Sequence, residues 1–151
     1  MIGYKDHALL LNESYRHWTD HYLVEQRDPG EVLAALNEAK FVLISYGLEE
    51  DPIFNYANLR ALSLFGYEHL AFLQLPNRET FVPEATAGRI GQSVRVEHEG
   101  VLSDYRGTRL TKAGKPIVID DGVVWQLIDN LGRVHGYATQ LNSWHFLEQA
   151  I

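Results

Sequence analysis

His17 and His21 stand four residues apart in ESYRHWTDHY, with Glu13 one turn earlier and Asp20 alongside. On a helix that spacing puts two imidazoles on one face, as a metal ion needs. No glutamate follows the first histidine and no distant third ligand is apparent, so the pair reads as solvated or capping. Asp120 and Asp121 are adjacent carboxylates, the groups that acid–base chemistry uses. Neighbours on a strand point to opposite faces, so the two share a site only if the strand bulges. Gly122 follows them directly, and a glycine inside a strand marks a bulge or a close approach. The plainer reading is a bulged strand with one solvated acid. Arg106, Arg109, Lys112 and Lys115 gather on one hairpin. They suit an edge strand that resists aggregation, or contact with an acidic partner or an anionic ligand. His98, between Glu97 and Glu99, is a further potential ligand in a hydrophilic stretch.

The elements that must position these groups follow from periodicity. In DHALLLNESYRHWTDHYLVEQR, the residues Leu11, Tyr15, Trp18 and Tyr22 recur on one helical face, until the DPG string at 28–30 interrupts them. Asp28 caps a second helix that starts at Pro29. From Lys40 the period changes. FVLISYG (41–47) and IFNYA (53–57) predict strands. Asn58 caps LRALSLF, which Gly66 ends; YEHLAFLQL is another helical turn; PNRETFVP is a loop. EATAGRIGQSVRVEHEG (84–100) is a longer helix, weakened by two glycines. Strands are predicted over 101–111, 116–128 and 133–144, joined by turns at KAGK and DNLG.

The order α-α-β-β-α-α-α-β-β-β predicts an α+β fold: one antiparallel sheet with short helices on one face. In VVWQLI (123–128) both alternating faces are largely apolar. The second face must therefore be covered too, by the N-terminal helices or by a second subunit. Trp125 then reads as packing or, alternatively, as a pocket wall.

Bulk properties exclude several functions. The 151 residues suit one domain, and 46% apolar residues can build a core. A net charge of −7 argues against nucleic-acid binding. With no cysteine, disulfides, thiolate metal sites, cysteine nucleophiles and cysteinyl flavin adducts are all excluded. The first residues carry charge too early for a signal peptide, and no apolar run approaches the roughly 18–20 residues of a membrane span. The expectation is a cytoplasmic protein with no membrane partner.

Several strings carry a family resemblance. IFNYANLRALSLFGYEHL, RLTKAGKPIVI and LIDNLGRVHGYATQL resemble, in order, stretches of PAS domains. DPIFNYAN, ALSLF, LPNRETF, DYRGTRLTKAGK and VVWQLIDNLG are similar to the MEKHLA family of PAS-like domains, and Trp144 stands where those domains tend to end. The resemblance implies a five-stranded sheet in the order 2-1-5-4-3. It places the PAS-like domain at 39–145, after an N-terminal helical extension at 1–38. It also implies a sensory or ligand-binding role in signal transduction, with no established reaction.

The site residues implied are Asn77, Arg78, Trp125 and Gln140. Gln140 is similar in position to the glutamine that contacts the flavin ring in photosensory PAS domains. PNRET, with Asn77 and Arg78, is similar to the Asn-Cys-Arg string of those domains but lacks its cysteine, so a flavin could bind here only without a thiol adduct. A haem is the other cofactor the resemblance admits, through His98. Without an attached output segment, the signal would pass by association, as a homodimer through the N-terminal helices or a sheet face.

Two alternatives stay open. One is a small isomerase on the cone-shaped fold similar to the ketosteroid isomerase and nuclear transport factor group. There Tyr105 with Asp120 or Asp121 would polarise a carbonyl, although this chain has two helices before the first strand where that group has three. The other is an interaction domain with no ligand, hence no enzyme.

Overall fold

The computed structural model describes residues 4–82 and 86–147, with residues 86 and 87 described by backbone alone. Helix α1 (Tyr4–Thr19) buries His7, Ala8, Leu11 and Ser14 along one stripe. It is shorter than its periodicity predicts. Asp20 takes a left-handed conformation at φ 65°, and the Thr19 hydroxyl accepts the His21 amide at 3.2 Å. From inside the helix the Asn12 carbonyl oxygen accepts the amides of Leu23 (2.8 Å) and Val24 (3.2 Å), folding the chain back. Tyr22 therefore leaves the helical face and lies with its ring under the Arg27 guanidinium, at 3.5 Å. Asp28 caps α2 (Pro29–Glu38) by accepting the Glu31 amide.

Strands β1 (Val42–Tyr46) and β2 (Phe54–Ala57) form a hairpin. Asn58 then ties three elements together. Its Oδ1 accepts the amides of Leu43 (3.1 Å) and Ala61 (3.0 Å), and its Nδ2 donates to the carbonyls of Leu36 (3.0 Å) and Phe41 (2.9 Å). The short helices α3 (Leu59–Phe65) and α4 (His69–Phe72) follow. The predicted loop PNRETFVP contains a single 3-10 turn, Asn77–Thr80. Helix α5 (Thr86–Glu99) leads into β3 (Val101–Leu110), β4 (Pro116–Ile128) and β5 (Val134–Phe146).

The five strands form one antiparallel sheet in the order β2-β1-β5-β4-β3, as expected. This places β1 centrally beside β5, the arrangement that separates a PAS-like sheet from the cone-shaped alternative. Helices α1 and α2 cover one face, where Leu11, Val32, Leu36, Leu43, Trp125 and Ala138 pack together. The apolar outer face of β4 is thus covered by the chain's own N-terminal helices. On the other face α3 and α4 bury Ile44, Phe54, Phe65, Phe72, Ile117 and Leu141. The rest of that face meets α5 through a small cluster of Val96, Leu102 and Val124, with Tyr105 and Tyr137 packed against it.

Two glycines fix how β4 is approached. The pairing shifts register around Asp121 and Gly122, which is the predicted bulge. A Cβ at Gly122 would stand 2.9 Å from the Gln140 carbonyl. Gly100 turns from α5 into β3 at φ 82°, and a Cβ there would overlap the Trp18 ring. Among the described residues, no helix is long and apolar enough to cross a membrane.

Candidate functional site

A cleft of about 720 Å³ opens between α5, the 3-10 turn and the β3-β4-β5 face of the sheet. Its walls are apolar and aromatic: Tyr46, Phe81, Leu102, Tyr105, Val124 and Tyr137. Polar and charged side chains also line it, among them Glu49, Arg89, Gln92 and Glu97, and a cavity of this size is the usual form of a small-molecule site.

The polar groups converge at one end. Arg109 is 3% exposed. Its Nη1 donates to Asn77 Oδ1 at 2.9 Å and to Thr80 Oγ1 at 2.7 Å, and its Nε donates to the Tyr105 hydroxyl at 3.2 Å. The sequence builds this seat locally. The Asn77 amide is anchored on the Pro52 carbonyl at 2.8 Å. The Thr80 hydroxyl donates to the Asn77 carbonyl, which leaves its lone pairs for Arg109. A backbone bridge between Phe81 and Arg109 locks the turn against β3. Further along the cleft, the Thr139 hydroxyl is fully buried and has no partner among the described residues. Tyr46 stacks on Tyr137 with ring centres 5.9 Å apart. Burial pushes the Tyr46 hydroxyl up to about 12, with the Arg109 charge pulling the other way. Burial also raises Tyr137.

The four residues expected at the site do not come together. Asn77 lines the cleft, buried, bound to Arg109. Arg78 sits at the rim, its side chain 60% exposed, paired with Asp51 at 2.9 Å and Glu79 at 2.8 Å. Trp125 and Gln140 lie on the opposite face of the sheet. Trp125 pairs with Ala138 and Val123 with Gln140, and β1 brings Leu43 beside Gln140, all under α1. Trp125 meets the edge of Tyr15 at 4.9 Å, and its indole N–H has no partner among the described residues. The period of 2 sends their neighbours, Val124 and Thr139, into the cleft instead.

Sequence reasoning placed Arg109 on a charged hairpin, as edge charge or as a contact for an acidic partner or an anionic ligand, and gave Thr139 no role. The available signal was parity: in register with Val124, Thr139 had to share a face with it.

The other candidate groups separate as well. His17 lies edge-on to Trp18 at 4.6 Å, while His21 follows the helix end. Among the described residues no cluster of three His, Asp or Glu side chains could hold a metal ion. His98 is exposed and does not line the cleft. Asp120 binds His145 at 2.8 Å, and the Tyr105 hydroxyl accepts from Arg109, so among the described residues Tyr105 has no hydrogen bond to Asp120 or Asp121. For a flavin, the glutamine contact stands on the wrong face of the sheet and the chain has no cysteine, so these residues do not assemble the expected flavin site.

The sequence matches the family model of the MEKHLA domain over residues 5–146, a span that includes α1 and α2. No curated protein matches the chain. Among solved structures, the PAS domain of a protein from Colwellia psychrerythraea aligns with a TM-score of 0.62 at 16% identity, covering 78% of this chain and 95% of that one. A light-oxygen-voltage domain from work with a flavin analogue aligns at 0.59 and 18% identity, covering 79% and 86%. An RNA-binding light-oxygen-voltage receptor aligns at 0.61 and 17% identity, covering 75% of this chain and 32% of the receptor, so the match spans about a third of that protein. At these identities the likeness is one of fold.

Proposed function

The chain belongs to the MEKHLA domain family, and from that premise we propose that it is a PAS-like sensory module that holds a small molecule under α5 and signals through protein association. The observation that carries this reading is the cleft: about 720 Å³ with an aromatic and aliphatic wall and the buried Arg109 seat at one end. Asn77 touches the ligand and Arg78 stands at its mouth. Trp125 and Gln140 act on it only through the sheet, from the α1 side. Residues 39–145 form the sensing unit. The N-terminal extension, residues 1–38, covers its back with α1 and α2 and offers the surface for a homodimer. The protein works in the cytoplasm and catalyses no reaction. Neither the flavin in one neighbour's description nor the RNA in another's is carried over. The cleft lacks the expected flavin contacts, and the net charge of −7 opposes RNA.

The test is to purify the full chain, record its absorption spectrum and compare native with denaturing mass spectra, with light scattering for the oligomeric state. The expected result is a non-covalent small molecule lost on denaturation, or a cleft that takes up fragments with amide shifts near Tyr46 and Tyr105. A protein that carries nothing and shows no such shifts with any fragment is a ligand-free interaction domain.

A further inference from the structure

We infer that the cleft selects an organic acid, with its carboxylate on Arg109 and its flat apolar body along the tyrosines. This rests on the reading of the cleft as a ligand site and names the class of ligand.

Arg109 is a buried cation whose three hydrogen bonds all end on neutral oxygens. Buried charges are normally paired, because taking an ion out of water costs far more than neutral hydrogen bonds return. Its Nε and Nη1 are used, so Tyr105, Asn77 and Thr80 fix the plane of the guanidinium. Its Nη2 has no partner among the described residues. The supporting groups are themselves left as donors. The Tyr105 oxygen accepts from Nε, which leaves its O–H free to donate. Asn77 Oδ1 accepts from Nη1, and its Nδ2 has no partner among the described residues. Thr80 both donates and accepts and is satisfied. The seat therefore presents mostly N–H and O–H donors and one positive charge. An anion with several lone pairs matches it best, and a planar carboxylate fits the planar guanidinium.

Beyond the seat the charged lining is balanced, with Glu49, Asp51 and Glu97 against Arg78, Arg89 and Arg106, so the wall itself does not call for a doubly charged ligand. The planar fork of Arg109 then favours a flat carboxylate over a tetrahedral phosphate monoester. Beyond the seat, Tyr46, Tyr137, Leu102 and Val124 give the ligand body an aromatic and aliphatic wall.

Matched acid and amide pairs on benzene, naphthalene and indole bodies, with naphthyl phosphate as a third arm, test this on the full chain by calorimetry and amide NMR at neutral pH. The acid of at least one pair should bind about tenfold or more tighter than its amide, and tighter than the phosphate. R109Q should abolish the difference while the amide still binds, and R109K, which keeps the charge but not the fork, should keep part of it. If R109Q does not fold, Y105F removes the hydroxyl that both accepts from Arg109 Nε and is left to donate to the ligand, and it should weaken the acid selectively while the amide still binds. Equal binding of acid and amide, a preference that survives R109Q, or tighter binding of the phosphate overturns the carboxylate inference and leaves the cleft as a ligand site. No shift of cleft amides with any member of the panel overturns both.

Discussion

Trp125 and Val124 are neighbours on β4 and face opposite ways, and their surroundings differ in kind. Trp125 lies in an apolar layer under α1, a helix of 16 residues whose buried stripe sets Ala8 and Leu11 among His7, Asn12 and Ser14. Side chains pin that helix along its length: His7 to Ser45 at 2.8 Å, Ser14 to both backbone groups of Ile128, and Trp18 to the Gln126 carbonyl at 2.9 Å. Val124 faces α5, which among its described residues buries only Val96 and leaves Ile90 and Val94 exposed. Two glutamines suspend α5. Gln126 donates to the last carbonyls of the helix, Val96 and Glu97, and Gln92 exchanges hydrogen bonds with the Arg106 backbone. One face is closed by apolar packing; the other is bridged by polar clamps at a distance, and the cleft is the space the clamps hold open.

Truncation separates the faces most strongly. Trp125→Ala should cost about 3–5 kcal/mol, because it empties a fully enclosed site. That lowers the melting midpoint of a chain this size by roughly 10 °C. Val124→Ala only widens a space already open and should cost less than half as much. Equal losses in urea or thermal unfolding would show that the two faces are packed alike.

Acid should strike the α1 face next. The Ser45 hydroxyl donates to Asn55, so it can only accept from His7, which puts the proton of the neutral imidazole on Nε2. Burial, with a contribution from His135, lowers His7 from 6.5 to about 4. The unfolded chain therefore takes up a proton that the folded one refuses. Stability is intact above pH 6.5, falls as the pH drops towards 4, and levels off below, by about 3 kcal/mol in all. In His7→Gln that part of the acid sensitivity should vanish. An unchanged pH profile would place His7 outside this layer.

Gln126→Ala should loosen the cleft face alone. It removes two hydrogen bonds to α5, about 2 kcal/mol, while the Gln126 backbone still holds Trp18. Hydrogen exchange should quicken in α5 and stay slow in α1. Equal quickening in both would mean the helices open as one unit, and the contrast between faces would fail.

The strand order came with the family resemblance, and the residues left open whether the N-terminal helices or a second subunit covers the second face; the strands themselves and the need for two coverings were legible in the sequence. They rest on signals within a few residues: the apolar run of FVLISY, the Asn58 and Asp28 caps, the turns at KAGK and DNLG, and the two apolar faces of 123–128. The helix end at Thr19 was not legible. It is set by the Asn12 side chain reaching Leu23 and Val24, which no periodicity records. Nor was the site. Which face of β5 looks into the cleft depends on register across three strands, and a shift of one residue exchanges Gln140 for Thr139. Arg109 looked like edge charge because its partners come from a turn some thirty residues earlier in the chain.

Asn77 and Arg78 bring the comparison down to adjacent residues on one turn. Asn77 points inward and supplies a buried acceptor to Arg109, so Asn77→Ala should cost about 1 kcal/mol and weaken acid binding in the cleft. Arg78 points outward, and both of its ion pairs, to Asp51 and Glu79, sit in solvent. Such pairs are screened and hold long side chains at an entropic cost that cancels most of their attraction. Arg78→Ala should therefore leave the unfolding midpoint unchanged within error at physiological salt. A clear loss of stability in Arg78→Ala would mean that the rim, and not only the buried seat, holds the 3-10 turn in place. The cleft would then have to be redrawn to include its mouth.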